Sequence, residues 1–181
     1  MTYYGGRELA ASFRTVRGNT ITIAEEIPES SYQVKAADGC RTVANTLAHI
    51  VAIPHIQWYI QKNRLTDIST VNFSGLVGEM MSIENTPRSK AELVALLKAE
   101  GEAFAAYLES LPESFLGESV AMFPGTSPAT KSRLEMLMSV KEHEMHHRAQ
   151  LMTLQRIIGV TPHLTRQMQA RAAAAPAPAT R

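Results

Sequence analysis

One stretch of the sequence decides the fold: residues 132–159 are SRLEMLMSVKEHEMHHRAQLMTLQRIIG. Its apolar residues and two of its histidines recur at intervals of three and four, the period of an α-helix. The positions on this stripe are Met136, Val140, His143, His147, Leu151, Leu154 and Ile158. Gly159 and Pro162 follow, an arrangement typical of a helix end. The stretch predicts a long amphipathic helix from about Thr130 to Ile158.

Three further amphipathic segments precede this one. They cover about residues 7–27, 41–64 and 89–111, and the last begins with the capping-box pattern Ser-x-x-Glu. No segment alternates apolar and polar residues as a half-buried strand would. The pattern therefore predicts an all-α fold, an antiparallel four-helix bundle with long connecting loops.

The connections between these segments lack a helical period. Residues 65–88 contain repeated helix breakers and predict an irregular connection, and residues 112–128 predict a loop rich in Gly, Ser and Pro. The chain has 181 residues, about the length of one domain. We assign residues 1–168 to a single helical domain and residues 169–181, dominated by Ala and Pro, to a disordered tail.

Composition excludes several classes of function. The 18 basic and 17 acidic residues nearly balance, and the basic residues of the C-terminal part are scattered without neighbouring aromatic rings, so no nucleic-acid partner is expected. The longest apolar stretch, Leu47–Pro54, is far shorter than the roughly 20 residues that span a membrane. Cys40 is the only cysteine and has no internal partner, which favours a cytoplasmic protein. A homodimer is compatible with the sequence.

His143 and His147 lie one helical turn apart on the apolar stripe and are expected to point inward. Burying two imidazoles is costly unless they are paired, and one divalent cation would satisfy both. His146 is also within one turn of His143, but it lies off the stripe. The alternative is that these are core histidines hydrogen-bonded to carbonyl groups or water. We favour the interpretation that His143 and His147 bind a metal ion.

The residues HEMHH also match the H-E-x-x-H motif of zinc proteases. The rest of the chain does not fit that class. No Asp or Glu follows Glu144 to supply a third ligand, and the extended motif would need glycine at position 150 and histidine at position 153, where Gln150 and Thr153 stand. A zinc protease is therefore not expected.

The third ligand is expected from the second helical segment, which contains His49 and His55. His49 lies on an apolar stripe and should point inward, whereas His55 is about 240° further round and should face solvent. His49, His143 and His147 would leave a position open for water or substrate, as catalytic sites do. Imidazole ligands do not distinguish zinc from nickel or iron.

Two motifs resemble the DinB-like family, damage-inducible metal-binding four-helix bundles of the DinB/YfiT type. TVANTLAHI, residues 42–50, is similar to the second-helix segment of that family, and HEMHHRAQLMTLQRIIGVTP, residues 143–162, to its fourth-helix segment. The resemblance covers roughly residues 5–163. It implies the same metal ligands, His49, His143 and His147.

Other residues of the fourth-helix motif have less defined roles. By the resemblance, His146 occupies a common non-ligand position, while Arg148 and Gln150 match the motif as either hydrogen-bonding or packing residues. Glu144 is the nearest candidate base in sequence, but about 100° separates it from His143 on the helix, and an exposed charge is an equal expectation.

The family includes metal-dependent transferases that act on low-molecular-weight thiols and a mycothiol-dependent maleylpyruvate isomerase. Our leading hypothesis is a metal-dependent enzyme, a thiol transferase or hydrolase, that activates a thiol or water and takes a small-molecule substrate. Cys40 lies nine residues before His49, so a reactive sulfur should arrive with the substrate. The alternatives are a noncatalytic metal-binding stress-response protein and an interaction module with structural histidines.

Overall fold

The computed structural model describes residues 4–174, and most of these residues form helices; the longest connections, residues 27–42 and 117–132, have about 16 residues each. The helices are α1 (Gly6–Glu26), α2 (Val43–Lys62), α3 (Phe73–Asn85), α4 (Lys90–Glu109), α5 (Glu113–Leu116), α6 (Arg133–Ile157) and α7 (His163–Ala174). Strands β1 (Ser119–Ala121) and β2 (Thr130–Ser132) form one small antiparallel sheet.

Four long helices, α1, α2, α4 and α6, make the bundle, which confirms the predicted all-α four-helix architecture. Helix α1 packs against α4 and α6, and α2 packs against α3, α4 and α6. Three apolar clusters fill the interior of the described part of the chain. They are centred on Ile23, Leu47, Leu97 and Leu151, on Leu9, Phe13, Phe104 and Leu137, and on Ile60, Ile68, Val120 and Met136. None of the described helices is long and apolar enough to span a membrane.

A buried ion pair joins the four long helices. Arg17 on α1 donates from Nε and Nη2 to the Glu144 carboxylate on α6, with N–O distances of 3.0 Å to Oε1 and Oε2 respectively. Its Nη1 and Nη2 also donate to the carbonyl oxygens of Leu97 on α4 and Ile50 on α2. Gly101 makes room, because a Cβ there would lie 2.8 Å from Cγ of Arg17.

Two connections contain more secondary structure than the sequence predicts. Helix α3 occupies residues 73–85, within a segment predicted as irregular; the Asn72 side chain caps it by accepting from the Gly75 amide. None of its residues is fully buried, so no apolar period marks it. Residues 112–128 include α5 and β1, which are too short to give a periodic signal.

The C-terminal boundary also differs from the prediction. Helix α7 extends to Ala174, so residues 169–174, which we assigned to a disordered tail, are helical and exposed. Alanine has the highest helix propensity, and a helix that has begun at His163 continues readily through an Ala-rich segment. The rest of the predicted tail, residues 175–181, lies outside the described residues.

Candidate metal centre

The structure brings together the three histidines that the sequence analysis selected. Nε2 of His143 lies 3.0 Å from Nε2 of His49 and 3.0 Å from Nε2 of His147. His49 and His147 are buried and His143 is half-buried. His55 is exposed, and its Nε2 lies 3.5 Å from a carboxylate oxygen of Glu100. The geometry thus groups His49, and not His55, with His143 and His147; that these three bind a metal stays a prediction.

Capped, tightly packed helices hold these side chains. The Thr42 hydroxyl accepts from the Asn45 amide at the start of α2, and the Ser132 hydroxyl accepts from the Glu135 amide at the start of α6. Because α2 and α6 pack against each other, residues on their facing sides meet in the interior. The histidine cluster therefore depends on the contact between two fixed helices.

The outer ring nitrogens of two histidines have acceptors. Nδ1 of His49 lies 2.9 Å from Oε2 of Glu84, and Nδ1 of His147 lies 2.8 Å from Oε1 of Gln150. A carboxylate and an amide oxygen only accept, so both rings donate from Nδ1 and keep a lone pair on Nε2. Metal-binding histidines are usually oriented by such contacts.

Burial keeps the three rings neutral. Desolvation is the largest cause of a lowered pKa for each of them. It brings the pKa of His143 to about 4, and the repulsion that protonated rings would feel from one another acts in the same direction. The Arg41 guanidinium lowers the pKa of all three as well. Neutral imidazoles are the form that binds metal ions.

The donor set fits a divalent cation. With Nδ1 protonated on His49 and His147, both inner nitrogens are acceptors, and His143 Nε2 cannot donate to both at once. A cation would satisfy all three lone pairs. Metal–nitrogen bonds of 2.0–2.1 Å place adjacent ligand nitrogens roughly 3.0–3.4 Å apart, which matches the observed 3.0 Å. Among residues 4–174, no further His, Cys, Asp or Glu joins this group.

Glu84 is a site residue that the sequence analysis missed. It lies near the end of α3 and accepts from Nε of Arg41 at 2.6 Å, in addition to orienting His49. Burial opposes ionisation of Glu84, but the hydrogen bonds from Arg41 and His49 outweigh it and lower its pKa. The backbone carbonyl of Glu84 also accepts from Asn45 on α2. No sequence signal marks Glu84, since α3 itself was not predicted.

The other residues of the fourth-helix motif now have defined environments. Glu144 is 2% exposed and paired with Arg17, so it is neither an exposed charge nor a base at the histidine cluster. Gln150 orients His147, and its Nε2 lies 3.0 Å from Nε2 of the exposed His146. Arg148 makes no hydrogen bond to the cluster among the described residues.

A pocket opens beside the histidine cluster. Its volume is about 340 Å³, and it is lined by Ala36, Gly39, Cys40, Arg41, Thr46, Gln150, Thr153 and Leu154. Binding sites for small molecules typically have volumes of about 300–1,000 Å³. None of the three histidines lines the pocket, but Gln150, which orients His147, does, so there is space for a small molecule next to a residue of the cluster.

Comparison with known proteins gives one family and several similar folds. The family model of the DinB family matches residues 1–177. No curated protein matches the chain.

The solved structures share the fold at low sequence identity. YfiT from Bacillus subtilis, described as a probable metal-dependent hydrolase with an unusual four-helix bundle topology, is 18% identical with a TM-score of 0.65; the alignment covers 89% of this chain and 91% of YfiT. A DinB-like protein from the same organism is 22% identical with a TM-score of 0.62, covering 85% of this chain and 94% of that one. A Streptococcus pneumoniae protein is 22% identical with a TM-score of 0.66, covering 87% and 94%.

Proposed function

The chain belongs to the DinB family, and we propose that it is a metal-dependent enzyme in which His49, His143 and His147 hold one divalent ion. The observation that carries the proposal is the convergence of three neutral imidazoles near a pocket, with Nε2 of His143 lying 3.0 Å from Nε2 of both His49 and His147. Three protein ligands and an open position are typical of catalytic rather than structural zinc sites.

The proposed chemistry is activation of a thiol or a water molecule. When bound, a divalent ion with three neutral ligands lowers the pKa of a thiol or water at its open position. Glu84 and Gln150 hold the His49 and His147 rings in the tautomer that presents Nε2. The buried pair of Arg17 and Glu144 fixes α6 against α1 and so fixes the direction of the histidines.

Two reaction types follow from this chemistry, and each has support. The description of YfiT as a probable metal-dependent hydrolase supports hydrolysis of a small molecule. Three neutral ligands leave the charge of the cation uncompensated, which favours an anionic thiolate as the next ligand and supports thiol transfer. Cys40 lies in the pocket wall and outside the histidine group, so we propose that the sulfur belongs to a low-molecular-weight thiol substrate.

The test combines metal analysis with two activity assays. Protein purified without a histidine tag is analysed for zinc, nickel and iron, and its loaded form is offered bacillithiol, mycothiol, glutathione or cysteine with a chromogenic electrophile. A parallel assay uses a chromogenic ester without thiol. We expect activity in one assay that is lost in His147→Ala and kept in His55→Ala, whose ring is exposed, pairs with Glu100 and is not part of the cluster.

Equal rates for the wild type and His147→Ala in both assays would contradict the proposal that the protein is a metal-dependent enzyme. Stoichiometric metal without activity would favour the alternative, a noncatalytic metal-binding stress-response protein.

A further inference from the structure

The pocket is connected to the histidine cluster by hydrogen bonds. Gln150 lines the pocket and accepts from His147, and Arg41 lines it and donates to Glu84, which accepts from His49. Thr46 also lines it, one helical turn before His49 on α2. A molecule in this pocket therefore contacts Gln150, which orients His147 directly, and Arg41, which is linked to His49 through Glu84.

Arg41 is the cationic group of the pocket wall. Its Nε is bonded to Glu84, while no hydrogen bond within residues 4–174 involves its two terminal nitrogens. The side chain is 42% exposed, and no lining residue of the pocket is acidic. Two adjacent guanidinium N–H groups match the two oxygens of a carboxylate in distance and plane.

The remaining polar groups of the wall include two hydroxyl acceptors. The hydroxyls of Thr46 and Thr153 donate to the backbone carbonyls of Thr42 and Ala149, so their oxygens remain free to accept from a ligand. Ala36 and Leu154 add apolar surface. The wall thus offers a cationic donor, two acceptors and an apolar part, which suits a small carboxylate that also carries an N–H or S–H group.

The loop that carries Arg41 has a fixed shape. Lys35 and Thr42 form an antiparallel bridge at its base, and the Val43 amide donates to the Val34 carbonyl. Gly39 takes a φ of +80°, a left-handed conformation that glycine adopts without strain. These backbone contacts, together with the bond from Arg41 to Glu84, hold Cys40 and Arg41 in the pocket wall.

We propose that this pocket binds a small carboxylate-bearing substrate, whose carboxylate is held by the terminal nitrogens of Arg41 while its reactive end faces the histidine cluster. The inference rests on the proposed function, because it names the substrate class of the same site. Its test uses a signal that needs neither metal nor turnover.

Cys40 supplies that signal, because it is the only cysteine of the chain, is exposed and lines the pocket. Iodoacetate carries a carboxylate and iodoacetamide is its neutral analogue, so the ratio of their alkylation rates at Cys40 reports carboxylate binding independently of thiol reactivity. Rates are measured on the full chain by intact mass at constant ionic strength. We expect the iodoacetate rate to saturate with concentration, and the ratio to fall about tenfold in Arg41→Gln, as expected for loss of a charge-assisted hydrogen bond.

Three variants distinguish carboxylate binding by Arg41 from non-specific attraction to a positive charge and from any effect of the proposed metal centre. Arg41→Lys keeps the charge without the planar pair of donors and should recover only part of the ratio. Arg64→Gln removes an equally charged, exposed side chain that pairs with Glu118, and should leave the ratio unchanged. His143→Ala removes a proposed metal ligand outside the pocket lining and should keep the ratio, so failure of the metal proposal and failure of carboxylate binding give different results.

Competition identifies the ligand class. Propionate should slow alkylation of Cys40 in the wild type and not in Arg41→Gln, while chloride at equal ionic strength should have no effect. A ratio that is the same in the wild type and Arg41→Gln would overturn the proposal. Stronger protection by inorganic phosphate than by propionate would overturn the assignment to a carboxylate.

Discussion

Replacing Glu84 should weaken metal binding although Glu84 is not a proposed ligand. Its carboxylate accepts from Nδ1 of His49 at 2.9 Å and thereby fixes the tautomer and direction of that ring. Loss of such a partner typically costs 10–100-fold in metal affinity, or about 1.4–2.7 kcal/mol. Arg41 would also lose its partner, but its side chain is 42% exposed and water can replace the carboxylate there. Most of the loss should therefore arise at His49.

The assay is competition for zinc with a chromogenic chelator, using the wild type, Glu84→Ala, Glu84→Gln and Glu79→Ala. Glu84→Ala should bind zinc 10–100-fold more weakly. Glu84→Gln should lie between it and the wild type, because an amide oxygen still accepts the hydrogen bond but lacks the charge. Glu79 lies on the same helix with an exposed side chain and provides the matched control. Equal zinc affinity for Glu84→Ala and Glu79→Ala would refute the orienting role.

Three further predictions concern the ligands, the buried ion pair and the C-terminal segment. In the same chelator competition, His49→Ala should lose far more affinity than His55→Ala, and the reverse order would show that the wrong histidine was chosen. Glu144→Ala should lower the free energy of unfolding by about 3–5 kcal/mol, because it leaves the Arg17 guanidinium buried without its partner. Glu142 is exposed, so Glu142→Ala should change the free energy of unfolding by less than about 0.5 kcal/mol in urea titrations. Similar losses in Glu144→Ala and Glu142→Ala would argue against a stabilising ion pair between Arg17 and Glu144. Removing residues 170–181 should shift the melting temperature by less than about 2 °C, because residues 170–174 are exposed and bury little area; a large fall would show that the segment packs on the bundle.

The proposed metal ligands could be predicted because helical periodicity depends only on residues that are close in the sequence. The spacing of His143 and His147 within an apolar stripe indicates their direction whatever α6 packs against. The same argument separates His49 from His55 on α2. The four long helices were predicted for the same reason, since each buries enough residues to leave a periodic pattern.

Glu84 and the buried ion pair could not be predicted in this way. Glu84 comes from a helix without fully buried residues, and its contact with His49 spans 35 positions of the chain. Glu144 lies off the histidine stripe, but α6 packs against both α1 and α2 and therefore buries more than one face. A single-stripe analysis places such a residue at the surface. Only the tertiary arrangement shows that Arg17 meets it there.

We propose that His49, His143 and His147 together hold one divalent ion with an open coordination position. The most direct measurement is an anomalous scattering map from crystals of tag-free protein whose metal content has been analysed. We expect one peak within bonding distance of Nε2 of His49, His143 and His147, with water or a small molecule completing the coordination. A metal-loaded protein with no peak at these nitrogens would show that the ion binds elsewhere, and a fourth protein ligand at the peak would exclude an open position.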